Sequence, residues 1–195
     1  MMEAWPDYCG TIAAGLRAMV VTDRRGTDLS AAEGVTTWVA MTRTVHERDG
    51  QLFIIGNGGS AGMASHMAAD ACKNGHLRAM AVNDAALLTA TANDLAYDQV
   101  FSLPLERLGR PGDLVIAISS SGNSPNIVRA LETSRTLGLH AVTLTGMNAD
   151  NRARALGDLN FYVPLPRYGW TESAHQIILH YWFDQYLSAH RQGAL

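Results

Sequence analysis

Short apolar runs alternate with longer segments of helical periodicity over most of the chain. Five of the runs predict buried strands, because each is short, continuous and bounded by turn residues; they span residues 52–55, 79–82, 114–118, 140–144 and 160–163. Helices are predicted around and between these runs, over residues 60–73, 84–91, 97–108, 125–137 and 171–189. Strands that are apolar on both faces and alternate with helices indicate a parallel sheet covered by helices on both sides. The predicted fold class is α/β.

Two further helices are predicted before this alternation begins, over about residues 5–20 and 30–48. The second opens with Ser30-x-x-Glu33, the pattern of a capping box, and its apolar residues then recur at helical spacing. No fixed-period repeat or low-complexity stretch interrupts the chain. We therefore predict one domain over residues 1–195, with an N-terminal helical extension over about residues 1–48.

Composition and charge narrow the classes of function. The chain has 195 residues, a formal net charge of −3 and an apolar fraction of 47%, which favour a single domain with a large core over a nucleic-acid binder with a basic patch. No apolar run approaches the ~18 residues that cross a membrane, and no leader segment is predicted. Cys9 and Cys72 are isolated, which favours reduced thiols in a cytoplasmic protein over a disulfide or a zinc pair.

The segment Ser119-Ser120-Ser121-Gly122-Asn123-Ser124 follows a predicted buried strand and precedes a predicted helix. Serine hydroxyls and backbone N–H groups can surround a phosphate dianion, and Gly122 allows the backbone to curl around it. Ser124 suits the N-cap and Pro125 the first helical position, which leaves free N–H groups at the positive end of the helix dipole. We predict a phosphate-binding loop for a small sugar phosphate. The alternative is an ordinary serine-rich turn.

A second turn, Gly56-Asn57-Gly58-Gly59, ends the first predicted buried strand. Ser60 is predicted to cap the helix that follows and can add another hydroxyl to the site. The turn has neither the glycine spacing of a dinucleotide fingerprint nor the Gly-Lys-Ser/Thr of a nucleotide P-loop. We therefore predict no nucleotide cofactor.

Two helices carry pairs of polar residues that suit chemistry. His66 and Asp70 are four residues apart and project from one helix face, about 40° from each other. Glu172 and His180 are two turns apart on the last helix and can meet one ligand from the same side. For His66 the alternative is a hydrogen-bonded structural residue. His175 points about 140° away from His180, and we interpret it as a residue that supports the site residues or as a structural one.

The motifs occur in the order found in a known family. Together they resemble the sugar isomerase (SIS) domain proteins, and within them the phosphoheptose isomerases, which interconvert sedoheptulose 7-phosphate and a heptose 7-phosphate. The resemblance covers about residues 30–190. It implies a flavodoxin-like three-layer sandwich with a five-stranded parallel sheet, and a homotetramer with sites at subunit interfaces. The motifs that carry it are Gly56-Asn57-Gly58-Gly59-Ser60, Ala92-Asn93-Asp94, Ser119 to Ser124 with Pro125-Asn126, Leu144-Thr145-Gly146 and the helix from Glu172 to His180.

The resemblance also implies roles for single residues. It assigns phosphate and sugar binding to Asn57, Ser60, Asn93, Asp94, Ser119, Ser120, Ser121 and Ser124. It assigns a divalent metal, zinc in the first instance, to His66, Asp70, Glu172 and His180, and histidine and carboxylate groups suit such an ion. It makes His180 the general acid and Asp94 a catalytic-site residue, although a turn-forming aspartate is an equal alternative.

The chain departs from the family pattern at three positions. Asp70 stands where the family has Glu, Glu172 where it has Gln, and Gly169 where it has Asp. The catalytic base and the metal ligand are therefore not assigned between Asp70 and Glu172.

The expected reaction is aldose–ketose isomerisation through a metal-stabilised cis-enediol, with sedoheptulose 7-phosphate or another seven- or eight-carbon sugar phosphate as substrate. The alternative is a non-catalytic SIS protein that binds a phosphosugar or a protein partner. Such a binder has no need for His66, an acid at position 70 and His180, and we therefore predict an enzyme.

Overall fold

The computed structural model describes residues 4–192. The α-helices are α1 (Trp5–Arg17), α2 (Ala31–Glu47), α3 (Gly59–Gly75), α4 (Ala85–Asp94), α5 (Ser102–Leu108), α6 (Pro125–Leu137) and α7 (Tyr168–Gln192). The strands are β1 (Val20–Asp23), β2 (Asp28–Leu29), β3 (Gln51–Gly56), β4 (Arg78–Ala81), β5 (Leu114–Ser119), β6 (His140–Gly146) and β7 (Leu159–Val163). Short 3-10 helices cover Tyr97–Gln99 and Arg152–Ala155. The described helices include none that is both long and apolar enough to cross a membrane.

One sheet has the strand order β2-β1-β7-β6-β5-β3-β4. The five strands from β3 to β7 run parallel, as predicted, and β5 lies at their centre between β3 and β6. Both Gly- and Ser-rich turns follow neighbouring strands, because Gly56 of β3 pairs with Ile118 of β5. They therefore meet at the carboxyl edge of the sheet, where ligands bind in open α/β sheets.

The two antiparallel strands β1 and β2 were not predicted. The first N-terminal helix ends at Arg17, and the next residues form a hairpin whose strand β1 pairs with β7, with Val20 opposite Tyr162. β1 is only four residues long, and charged residues follow it directly. Its conformation is stabilised by a strand that lies about 140 residues further along the chain, which local periodicity does not report.

The core lies in two clusters, one on each face of the sheet. Successive strand residues point to opposite faces, so Leu52 and Ile54 belong to the cluster under α2, α3 and α7, and Phe53 and Ile55 to the cluster under α5 and α6. This arrangement confirms the helix–sheet–helix sandwich. Helix α2 is an integral part of it, because the Trp38 and Trp182 rings stack with centroids 4.6 Å apart.

The capping box that opens α2 is also confirmed. The Glu33 backbone N–H donates to Ser30 Oγ at 3.2 Å, and the Ser30 backbone N–H donates to Glu33 Oε2 at 2.8 Å. The segment predicted as one helix over residues 97–108 is instead a 3-10 turn followed by α5.

Candidate active site

A small cavity of about 100 Å³ lies between the two turns at the carboxyl edge of the sheet. Every serine predicted to bind phosphate lines it. The lining residues are Asn57, Ser60, Ile118, Ser119, Ser120, Ser121, Ser124, Tyr168 and Glu172. None of these lining residues is a lysine or an arginine, so an anion here would be held by neutral hydroxyl and N–H donors.

The serine loop is tightly braced. Gly122 has φ +63°, and its N–H donates to the Ser119 carbonyl at 3.0 Å. Its own carbonyl accepts from the Ala153 N–H at 2.9 Å, and the Asn123 side chain accepts from the Arg152 N–H at 3.0 Å. These contacts hold the loop in shape before any ligand arrives, and such preorganisation lowers the cost of binding.

Two hydroxyls of the loop are not used in the hydrogen bonds expected of them. Ser120 Oγ is buried and has no hydrogen-bond partner among the described residues. A buried hydroxyl without a partner lowers the stability of the fold, unless a bound ligand supplies the hydrogen bond. Ser124 is the N-cap of α6, as predicted, but its hydroxyl makes no capping hydrogen bond. Pro125 occupies the first turn of α6, also as predicted. The loop therefore offers donors at a helix N-terminus that an anion would satisfy.

Ser60 lies elsewhere in its helix than predicted. The N-cap of α3 is Gly58, and Ser60 is inside the first turn, where its N–H donates to the Asn57 carbonyl at 2.9 Å. The prediction that Ser60 caps the helix is wrong. The side chain is nevertheless buried against the cavity, at the N-terminus of a second helix.

Asn57 is held by a network that includes two residues outside the predicted set. The amides of Asn57 and Asn126 exchange hydrogen bonds of 3.0 and 2.9 Å, and the Tyr97 hydroxyl donates to Asn57 Oδ1 at 3.3 Å. Asn126 Oδ1 also accepts from the Ile127 N–H. Asn126 follows Pro125 directly, so its position just inside α6 is the signal that could have identified it. Tyr97 and Tyr168 carry no comparable local pattern.

Three of the four predicted metal ligands come together. His66 and Asp70 on α3 and His180 on α7 each offer a ligand atom within 4.8 Å of the others. His66 Nε2 lies 3.5 Å from Asp70 Oδ2, and the rings of His66 and His180 have centroids 5.3 Å apart. Two imidazoles and a carboxylate are a donor set that fits Zn²⁺ with an open position, and none of the three side chains is buried.

Glu172 is not part of this group. Its carboxylate lies over Gly59, where an added Cβ would come within 2.7 Å of Oε2, so the Glu172 side chain would have to move. This places a negative charge at the N-terminus of α3, where the helix dipole favours it, and on the wall of the phosphate cavity. Since Glu172 and His180 are eight residues apart, roughly 12 Å of helix separates them.

Asn93 and Asp94 were predicted to lie in a turn, but they are the last two residues of α4. Both are exposed, and Asn93 Nδ2 donates to Asp94 Oδ1 at 2.7 Å. Neither residue lines the phosphate cavity. Their proposed contacts with substrate remain predictions.

His175 is fully buried between α7 and the sheet. Nε2 lies 3.1 Å from the Thr145 carbonyl, and Nδ1 has no partner among the described residues. Burial lowers the pKa of His175 to about 4, so the ring is neutral. The position of the ring agrees with the structural interpretation, and it supports the end of β6, where Gly146 donates to the Ser120 carbonyl.

The chain is similar to known proteins over most of its length. The SIS domain family model matches residues 16–146. The phosphoheptose isomerase of Chlorobaculum parvum is 42% identical over 149 residues, which are 72% of this chain and 68% of that protein. The phosphoheptose isomerase of Dechloromonas aromatica is 31% identical over 182 residues, 89% of this chain and 92% of that one. The structure of phosphoheptose isomerase from Neisseria gonorrhoeae aligns with a TM-score of 0.79 at 29% identity, over 93% of this chain and 94% of that chain.

Proposed function

The chain belongs to the SIS domain family, and we propose from this membership and from its site that it is a phosphoheptose isomerase. The proposed reaction interconverts sedoheptulose 7-phosphate and a heptose 7-phosphate. Support comes from the two relatives of that name, which match most of the chain, and from the site built at the carboxyl edge of the sheet.

One observation carries the proposal: α3 and α7 pack in parallel, with the phosphate cavity at their N-terminal ends and the metal group further along both helices. Ser60 and Glu172 lie near these N-terminal ends, and His66, Asp70 and His180 lie about two turns later. The spacing from Ser60 to His66 is about 9 Å along the helix axis. A seven-carbon chain with a terminal phosphate spans roughly 10 Å when extended, from single bonds of about 1.5 Å. The site therefore suits a long-chain sugar phosphate whose carbonyl end reaches the metal group.

The metal is proposed to be zinc, held by His66, Asp70 and His180. When bound, such an ion would polarise the sugar carbonyl and favour the enediol form. Serine hydroxyls at positions 119–121 and 124, with Ser60, would hold the phosphate and fix which carbons reach the opposite end. His180 would hold the ion through one ring nitrogen, and the N–H of its other ring nitrogen is proposed to supply the proton at the sugar oxygen as the general acid.

Asp70 is proposed to hold the metal, and Glu172 is proposed to be neither a ligand nor the C1–C2 base, because it lies at the phosphate end, roughly 12 Å of helix from His180. The Glu172 carboxylate is outside the group of three ligand atoms, whereas the carboxylate of Asp70 lies beside His66 within that group. Separate Glu172→Gln and Asp70→Asn variants test this division. Glu172→Gln is expected to keep both its metal content and its turnover number, and Asp70→Asn to lose metal. Loss of metal or of turnover in Glu172→Gln would contradict the assignment.

The direct test of the function is hydrogen exchange at the substrate. Zinc-loaded protein is incubated with sedoheptulose 7-phosphate in heavy water, and deuterium at C1 and C2 is followed by NMR. The proposal expects exchange that is lost in a His180→Ala variant. Tight binding without exchange, for this ketose and for longer homologues, would instead support a non-catalytic phosphosugar binder.

We further propose a homotetramer with sites at subunit interfaces. Support comes from large exposed apolar side chains around the site: Tyr168 is 62% exposed, and Ile177 and Tyr181 on either side of His180 are 49% and 51% exposed. Light scattering coupled to size-exclusion chromatography measures the assembly directly. The proposed compartment is the cytoplasm, which is supported by the exposed and unpaired thiols of Cys9 and Cys72.

A further inference from the structure

A second and larger cavity lies at the opposite edge of the sheet from the serine loop. It has a volume of about 540 Å³ and is formed at the amino ends of β3, β4 and β5. β5 runs from this edge to the serine loop, so its six residues separate the two cavities by roughly 20 Å. Four arginines from three parts of the chain line the larger cavity: Arg48, Arg78, Arg107 and Arg110.

Two of the guanidinium groups are held in place. Arg48 Nη2 donates to the Pro111 carbonyl at 3.3 Å, and its guanidinium packs against Gly112, where any Cβ would overlap it. Arg78 Nη1 donates to the Asp49 carbonyl at 2.6 Å and lies 3.3 Å from its carboxylate. These two arginines therefore have a defined position in the cavity wall before a ligand binds.

The other two guanidinium groups lack a balancing carboxylate. Within residues 4–192, neither Arg107 nor Arg110 has an acidic oxygen within 4.0 Å. Asp113 is buried nearby, but its two oxygens accept from the backbone N–H groups of Gln51 and Arg110, each at 2.8 Å.

The charge of the lining residues is therefore positive. Four arginines face two aspartates in the cavity wall, which leaves a formal excess of two positive charges in a chain whose net charge is −3. Because one aspartate is paired with Arg78 and the other is engaged by the backbone, an anion has no strong competitor for Arg107 and Arg110.

We propose that this cavity binds a small anion that carries a diphosphate group. Guanidinium forks bind phosphate oxygens in pairs, and four of them around one cavity match two linked phosphates better than a single one. The volume lies in the range of small-ligand sites. A nucleic acid does not suit a chain with net negative charge. This site is distinct from the serine loop and does not depend on the proposed isomerase activity.

Calorimetric titration of the full chain with pyrophosphate, ADP and inorganic phosphate tests the proposal. Pyrophosphate and ADP are expected to bind at least tenfold more tightly than inorganic phosphate. An Arg107→Ala/Arg110→Ala double variant is expected to lose at least tenfold in pyrophosphate affinity. A matched control, Arg17→Ala/Arg25→Ala, removes two exposed arginines from the N-terminal region and is expected to bind pyrophosphate as the wild type does.

Two further variants separate this cavity from the other anion and metal positions. Ser120→Ala alters the serine loop and His66→Ala the metal group, and both should keep the pyrophosphate affinity. Hydrogen exchange of the unmodified chain gives a readout that needs no variant: pyrophosphate should protect the backbone over residues 107–113 and 48–51. Protection confined to residues 119–124, equal losses in both arginine double variants, or no measurable pyrophosphate binding would each overturn the proposal.

Discussion

Replacement of Gly122 by alanine should destabilise the protein by much more than a glycine replacement of the same backbone conformation elsewhere. Gly122 has φ +63°, which costs an alanine about 1 kcal/mol. A Cβ there would come within 2.8 Å of the Asn151 Cβ and nearer still to its amide oxygen, so that side chain must move. Asn151 would then lose its hydrogen bonds with the Asn148 carbonyl and the Arg154 N–H, at about 1 kcal/mol each. The expected loss is about 3 kcal/mol.

Gly138 provides the matched control, because its φ is +73° and the nearest atom to an added Cβ is 3.6 Å away. Gly138→Ala should therefore cost only about 1 kcal/mol. Urea unfolding at equal protomer concentration measures both variants, and in a melting experiment each kcal/mol should lower Tm by about 2–4 °C. The KM for sedoheptulose 7-phosphate should rise in Gly122→Ala alone. Equal losses of stability in the two variants would refute the proposed packing of Asn151 against the loop.

Two other predictions follow from buried polar atoms. Ser120→Ala removes a hydroxyl that has no partner among the described residues, so the free energy of unfolding should change little. KM should rise about tenfold, which is the effect of losing one hydrogen bond to a charged group. The control is Ser134→Ala, because the Ser134 hydroxyl bonds only within α6 and KM should stay unchanged; a KM rise shared by both variants would contradict the phosphate contact. The pKa of His175 is lowered to about 4 in the folded protein, against about 6.5 in the unfolded chain. Between pH 6.5 and pH 4 only the unfolded chain binds the proton, so the free energy of unfolding should fall with pH by up to about 1.4 kcal/mol per pH unit; above pH 6.5 this group should have no effect. Urea unfolding across that range should give a flatter pH dependence for His175→Gln than for the wild type, and parallel curves would count against a neutral buried ring.

Much of the site could be predicted from local patterns. The serine loop, its place after a buried strand and the cap of α6 are all encoded within about ten consecutive residues, and the structure confirms this order. The pairing of His66 with Asp70 follows from one turn of helix, and the 3.5 Å separation agrees with it. Local sequence also identified the capping box at Ser30 and Glu33.

Other features could not be predicted because the deciding contact is distant in sequence. β1 is a strand only because β7 offers it a free edge, with Val21 opposite Phe161. The mutual amide pair of Asn57 and Asn126 joins the ends of two different strand–helix units, 69 residues apart.

Glu172 shows the same division most clearly. The helical spacing to His180 is visible in the sequence, and it suggested that both side chains serve one ion. The direction of the carboxylate depends on α3 packing alongside α7, where the absence of a side chain at Gly59 leaves room for it.

The serine loop is thus a property of the sequence by itself, because backbone periodicity, turn residues and helix caps act over a few residues. The position of Glu172 over α3, and the gathering of four arginines at the opposite edge of the sheet, were decided only by the tertiary structure. The physical reason is that local sequence sets the conformation of each element, whereas the packing of the elements sets which side chains from distant segments share one cavity.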